Sequence, residues 1–389
     1  MTRKHLVTAL QCLLAIGLLY FVLNGVAIRD VARSKKPPSG AEETLKGTIE
    51  GPAGVARPWE APVVEFAVLE GATRSLDAKE WEVTPGLKTL YLHLALGPYL
   101  LAAALFLVGV VCAIVRWWSL VHVLRIPFTM RAATRWTFVG FFFNNVVPGL
   151  VGGDLPKMYF VARDAPRKTH AVLTVMVDRI LGLLALAVVA AVAYAVDFRR
   201  YQTPELQWIG WLILGVLAAL VGGCVLASWR GLRRFLVSDE KLLRLPGGKI
   251  LHHVEDAIAL YRGRPWVLVG AIGLSCCNHV LSMIAWWLIG SALGGTLSMG
   301  PYFVIVPIIQ MAKSVPLTPA GWGVGEALFA KLLPLYGETP TLGVALSITY
   351  QLTYLAFSLV GGVLLATSSE RASAAEMERG VAQLEEPAP

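Results

Sequence analysis

Asp178 and Arg179 are adjacent ionisable residues inside an otherwise apolar run, Ala171–Val196. They stand seven and eight residues into it, roughly 10 Å deep if the run is a helix rising about 1.5 Å per residue. Neighbouring helical side chains point about 100° apart, so the two need separate partners. Charges at such depth are costly and point to transport or ligand chemistry. Asp178 is expected to pair with Lys157 or Arg135. Arg179 is expected to face Asp154 or a lipid phosphate, whose oxygens suit its planar fork. The competing reading is an internal ion pair that only locks the structure.

Two further segments combine charge with backbone breakers. In Trp136–Arg163 an aromatic run ends at Asn144 and Asn145, and Pro148, Gly149, Gly152 and Gly153 then interrupt any helix before Asp154 and Lys157. In Pro301–Gly337 an apolar run meets Gln310, Lys313 and Ser314. Pro316, Thr318, Pro319, Gly321, Gly323, Gly325 and Glu326 follow, then a short apolar helix carrying Lys331. Breakers at this density free N–H and C=O groups that lipid cannot satisfy, so each segment must be buried in protein or line a wet cavity. Both are expected to be re-entrant hairpins. Val147-Pro148 matches Val315-Pro316, Gly152-Gly153-Asp154 matches Gly323–Glu326, and Lys157 matches Lys331. Entering from opposite faces, the hairpins would form an inverted repeat with substrate-handling residues near the midplane. The alternative is two ordinary loops with common turn residues.

The elements that must position these residues follow from composition. The chain has 389 residues, 56% of them hydrophobic and 15% charged, with a mean hydropathy of +0.62. A soluble domain of this length would need more charge to cover its surface. The expected fold is an all-α polytopic membrane protein with about six spans: Leu6–Ala27, Leu92–Val115, Ala171–Val196, Trp208–Trp229, Trp266–Leu288 and about Thr341–Ala366. A cleaved signal peptide is the alternative for the first, but its apolar run exceeds the usual ~7–15 residues of an h-region, so a retained anchor is expected.

Basic residues set the orientation. Arg3 and Lys4 precede the first span; Arg116, Arg125, Arg131 and Arg135 fall in one expected cytoplasmic loop, and Arg230–Arg264 supply another. Both termini are therefore expected in the cytoplasm of a cell-membrane protein. The net charge of +8 is explained by topology and gives no reason to expect nucleic acid. Residues 28–90 form one water-soluble insertion, a small β-rich cap with strands expected at Val63–Leu69 and Leu87–His93. Residues 91–367 then form the main membrane domain, and 368–389 a polar tail.

Other polar residues carry blander expectations. The five cysteines, Cys12, Cys112, Cys224, Cys276 and Cys277, lie in apolar stretches and read as small core residues, with no zinc or disulfide spacing. His279, beside Asn278 in the fifth span, is expected to make an interhelical hydrogen bond. Tyr350, Gln351 and Tyr354 could line a cavity with them. Trp117-Trp118 is expected to be an interfacial anchor. No Walker phosphate loop is present, so direct ATP use is not expected; neither is a cofactor or bound metal.

The run Arg116-Trp117-Trp118, the Gly140–Asp154 core, the downstream Asp178–Gly182 (DRILG) and Val315–Glu326 (VPLTPAGWGVGE) together resemble the membrane domain of lysylphosphatidylglycerol synthases and its stand-alone, flippase-like relatives. The resemblance covers roughly Leu92–Ala366. It implies a bundle with re-entrant helices that translocates lipids, including aminoacylated phospholipids or lipid-linked sugars. The positions it implicates are Asn145, Pro148, Gly152, Gly153, Asp154, Asp178, Arg179, Pro316, Thr318, Pro319, Gly321, Gly323 and Glu326. Lys157 departs from the arginine often found in the family, and the 28–90 insertion is not a family feature. Only about 20 residues follow the last span, which argues against aminoacyl transfer by this polypeptide.

The leading expectation is thus a translocator of membrane lipids or lipid-linked sugars. Residues 28–90 would offer a surface for an extracytoplasmic partner, and a homodimer is compatible. A membrane-embedded transferase using Asp154, Asp178 and Glu326, or a non-catalytic scaffold, are the alternatives.

Overall fold

The computed structural model describes residues 3–35, 43–50, 57–69, 71–146, 153–163, 165–199, 204–228, 259–261, 263–315, 317–368, 376–377 and 380. Helices dominate, and five are long and apolar enough to cross a bilayer. These are α3 (Leu96–Val123), α6 (Lys168–Val196), α7 (Pro204–Ser228), α8 (Pro265–Ala292) and α11 (Pro340–Ala366). The first helix, α1, spans Arg3–Asn24, with an apolar stretch at Ala9–Asn24 that is shorter than those five. Three more helices are short or broken from their neighbours: α4 (Met130–Val146), α5 (Leu155–Arg163) and, after α9 (Met299–Ser314), α10 (Val324–Leu332).

By contacts the chain divides into two compact units. One joins Met1–Leu105 to Ile284–Thr353; the other joins Phe106–Met283 to Tyr354–Pro389.

The first unit contains the expected sheet. Strands β1 (Asp30–Ser34), β2 (Thr44–Glu50), β3 (Val63–Val68), β4 (Thr73–Asp77) and β5 (Trp81–Thr84) form an all-antiparallel sheet ordered β4-β3-β2-β1-β5. Alternate residues point to one face, which buries Ala32, Ile49, Val64, Phe66 and Leu76 under Trp59 and Trp81. The second expected strand, at Leu87–His93, is instead a short helix, α2 (Leu87–Leu92). Its apolar residues Leu87, Leu90 and Tyr91 recur at helical spacing, which overrides their strand propensity.

A buried carboxylate ties sheet to helix. Asp30, 1% exposed, accepts hydrogen bonds from Ile49 N (2.6 Å), Gly86 N (2.6 Å) and the Thr89 hydroxyl (2.8 Å). It therefore holds β2 and the first turn of α2 together. Asp30→Ala strands two backbone donors, so destabilisation of at least ~2 kcal/mol is expected; Asp30→Asn, which keeps an acceptor oxygen, should lose less. Thermal unfolding with chain-wide proteolysis mapping checks both.

Other ties fasten the sheet domain to helix ends. Arg57 donates to Gly295 O (3.0 Å), and Trp59 lies against Gly294, where a Cβ would stand 2.6 Å from its ring. Ala27 N donates to the Thr341 hydroxyl (3.2 Å) and Tyr91 to Ala345 O (3.2 Å). Helix α1 packs on the turn before α10. A Cβ on Gly323 would fall 2.7 Å from Leu18 Cβ, and its φ of +82° favours glycine in any case.

The second unit is helical. Its core gathers Val110, Ile114, Trp117, Val139, Phe143, Met158, Phe160 and Val175 among others. Trp136 stacks on Phe160 with centroids 3.4 Å apart, joining α4 to α5. Helix α4 meets α11 backbone to backbone: a Cβ on Gly361 would stand 1.9 Å from Phe138 O. Such crossings of small residues are how helices approach closely in lipid.

Several expectations change here. Helix α3 does not stop at Val115 but continues to Val123, so Arg116 and Trp117 lie inside it, 7% and 0% exposed, rather than in a loop and at an interface. The gain is a charge partner, described below. Asn144 and Asn145 do not end the aromatic helix, since α4 runs through them to Val146; the Asn145 amide turns back to donate to Phe141 O (3.0 Å). The described cysteines are not core residues: Cys12 and Cys277 are exposed, Cys112 and Cys276 half-buried, and all are free thiols. An apolar solvent explains this, because a thiol on a lipid-facing surface loses little. Cys224 lies in α7, and the basic stretch from Arg230 to Lys249, with Arg262, lies outside the described residues.

Candidate functional site

In the second unit, buried charge is organised around α6. Asp178 accepts from Arg116 Nε at 2.6 Å, and Arg116 Nη1 donates to the Ser275 hydroxyl at 2.7 Å. The side chains of Arg116 and Asp178 are 9% and 8% exposed. The pair binds α3, α6 and α8 into one arrangement, and the Ser275 hydroxyl in turn donates to Ala271 O (2.8 Å). Asp178 was expected to pair with Lys157 or Arg135; its partner is Arg116. Arg135 instead lies over the Trp136 ring (4.8 Å) and donates to Ser368. Lys157 is placed over the Trp117 ring at 5.0 Å, a cation–π contact. His279 meets the expectation of an interhelical bond, with Nε2 2.9 Å from Gly182 O.

One residue further along α6, Arg179 faces outward and forms an ion pair with Asp154, as expected. The two differ in access: the Arg179 side chain is 44% exposed, Asp154 14%. Asp154 immediately precedes α5, and the turn carrying it is pressed on α4 through two glycines. A Cβ on Gly140 would fall 2.4 Å from Gly153 O, and one on Gly153 would fall 2.9 Å from Gly140 O. The same turn abuts Asn144, whose amide donates to the Tyr354 hydroxyl (3.2 Å). Asn145 Oδ1, Thr137 Oγ1 and Trp117 Nε1 are buried without a hydrogen-bond partner among the described residues. Pro148 and Gly152 lie outside the described residues.

The second broken segment lies in the first unit. Helix α9 carries Pro307 in its interior, a break that neighbouring protein makes tolerable at membrane depth. Gln310 is half-buried on its last turns. A tight turn follows, in which Pro319–Gly321 form one turn of 3₁₀ helix, with Ala320 at φ +49° and Gly321 at +74°. Gly323 then caps α10. Glu326, 1% exposed, reaches back to accept from Gly323 N (2.7 Å) and also accepts from the Ser347 hydroxyl of α11 (3.2 Å). Lys313 donates to Gln351 Oε1 (2.8 Å), and Gln351 Nε2 donates to Ala320 O (3.0 Å). Thr318 is buried, with no partner for its hydroxyl among the described residues. Lys331, the expected counterpart of Lys157, is exposed on α10. The half-buried basic residue of this segment is Lys313. Tyr350 stacks on Trp286 (3.9 Å), and Pro316 lies outside the described residues.

Arg116, Ser275, Lys313, Ser347 and Gln351 are the site residues that sequence reasoning missed or misplaced. Arg116 had a usable signal, since the apolar run continues past it as Trp117–Val123. Ser275 and Ser347 carried none, because a single serine in an apolar helix is commonplace. Among the described residues no group of three or more His, Cys, Asp or Glu is placed to hold a metal ion.

Comparison with known proteins agrees with the motifs. The family described as the lysylphosphatidylglycerol synthase TM region matches residues 86–362, which include α2, both broken segments and all the charged residues above. The chain is 23% identical over 291 residues to the UPF0104 membrane protein PH1989 of Pyrococcus horikoshii, covering 68% of this chain and 85% of that one. No solved structure matches. Five helices able to span a bilayer and a match over most of its length place this chain among the multi-pass membrane proteins of the lysylphosphatidylglycerol synthase transmembrane-region family.

Proposed function

We propose that this protein translocates a phosphate-bearing lipid or lipid-linked sugar between leaflets, acting as a transporter rather than as a transferase. The observation that carries this reading is the contrast between two neighbouring charges on α6. Asp178 is neutralised by Arg116 and shut away, whereas Arg179 is 44% exposed and, among the described residues, tied only by its Nε to Asp154. A guanidinium held in this way keeps its outer N–H groups for a bidentate oxyanion ligand. In the proposed mechanism a headgroup phosphate takes over Arg179 from Asp154, and its acyl chains stay in lipid. Loss of the ion pair then releases Asp154 and Gly153, which packs on Gly140 of α4.

We further infer that the two broken segments are re-entrant hairpins of opposite entry, in a bundle of about six spans with both termini in the cytoplasm. The supporting pattern is one of order. In sequence, each segment runs from an apolar helix through glycines to an acidic residue at the start of a short helix, Asp154 before α5 and Glu326 in α10. Each acidic residue then bonds to the following span, through Arg179 in one case and Ser347 in the other.

Liposomes containing the purified full chain and trace fluorescent lipids test the reading. The expected result is protein-dependent movement of phosphate-bearing lipids that exceeds movement of an uncharged glycolipid or diacylglycerol. Equal rates for all headgroups, or no movement of any, would count against it.

A further inference from the structure

The ammonium of Lys313 lies in a place built for it. A Cβ on Gly321 would fall 2.6 Å from Lys313 Cε, and one on Gly325 would fall 3.3 Å from its Cδ and 3.6 Å from its Nζ. Any larger residue at either position would occupy the space of the lysine chain. That chain threads between the 3₁₀ turn and α10, and its Nζ donates to Gln351. An ammonium has three N–H donors, and among the described residues Gln351 takes one.

The nearby carboxylate does not use the others. Glu326 spends its two oxygens on Gly323 N and the Ser347 hydroxyl, and no direct ion pair joins it to Lys313. Gln351 is committed as well, its oxygen to Lys313 and its nitrogen to Ala320 O, which fixes the turn. Thr318 begins that same turn, with its carbonyl accepting from Gly321 N (3.2 Å). Its hydroxyl, on a residue only 6% exposed, has no partner among the described residues. A buried hydroxyl and a half-buried ammonium with donors to spare favour an acceptor, and an anionic oxygen suits both.

We propose that Lys313 and Thr318, positioned by Gln351 and the glycine-lined turn, form a second anion site that receives a phosphate group. The site is separate from Arg179 and belongs to the other compact unit. It rests on the translocation reading only for the source of that phosphate, a lipid headgroup.

Lysine acylation of the full-length protein in dodecyl maltoside micelles, which carry no phosphate, tests this, with modification at Lys313 read by mass spectrometry. The probes are dioctanoyl phosphatidylglycerol, dioctanoylglycerol (which lacks phosphate) and inorganic phosphate. Phosphatidylglycerol is expected to slow Lys313 acylation several-fold while dioctanoylglycerol does not. Thr318→Val should lose most of that protection and Thr318→Ser should keep it. Protection by the lipid alone identifies a headgroup site, and equal protection by inorganic phosphate identifies a free-anion site of the same chemistry. No protection by either anion, or equal protection in Thr318→Val, overturns the site. Headgroup-dependent movement without protection would remove this site and leave the translocation reading standing. Protection without any movement would do the reverse.

Discussion

Arg116→Met is expected to destabilise the protein by ~3–5 kcal/mol, because it leaves Asp178 charged, buried and unpaired. Asp178→Leu should cost a similar amount by stranding the guanidinium. Combining the two should recover much of the loss, since an apolar pair of similar volume avoids the desolvation penalty of both ions. The serine link makes the arginine side slightly more expensive, because Ser275 loses a hydrogen bond as well. Reversible unfolding in mixed micelles, run as a double-mutant cycle, reads the coupling directly. Additive losses in the double variant would show that the pair does not act as one unit, and that the packing of α3, α6 and α8 is held by something else.

Arg179→Ala should behave in the opposite way, with little change in stability and a large change in transport. Its side chain is 44% exposed, so its ion pair with Asp154 is solvent-screened and losing it should cost no more than about 1 kcal/mol. A charge-assisted hydrogen bond to phosphate contributes about 1.5–3 kcal/mol, so headgroup-dependent movement should fall roughly 10- to 100-fold. Arg179→Lys keeps the charge but loses the planar fork, and it should fall between the two. If Arg179→Ala unfolds instead, the pair with Asp154 is structural. If it folds and transports like the native protein, the phosphate has no contact with this residue.

The adjacency of these two residues shows how far the sequence could be read. That Asp178 and Arg179 need different partners followed from the angle between neighbouring helical side chains, and Asp154 was one of the two partners expected for Arg179. The partner of Asp178 was not legible in the same way. Arg116 looked like a loop residue because basic residues usually mark the ends of spans, and here the helix continues for seven residues beyond it, to Val123. Positive charges report topology only when they are outside the apolar layer. Glycine-rich turns were visible as breaks, yet their close approaches were not, because Gly140 against Gly153 and Gly361 against Phe138 depend on which helices cross. The sheet was foreseeable from Val63–Val68, whereas α2 was not, since six residues are too few for composition to outweigh spacing.

The tie between Ala27 and Thr341 joins residues 314 positions apart in the chain, and α1 also rests on the turn at Gly323, encoded nearly as late. At a synthesis rate of about 5–20 residues per second, the first helix waits roughly 15–60 s before these neighbours exist. During that interval it lacks the partners that cover it in the finished fold. Leu10, Leu13, Ile16, Tyr20 and Phe21 remain exposed even then, so waiting leaves that surface unchanged. Assembly of this unit is therefore a late event in biogenesis, closed when residues 284–353 return to the first helix.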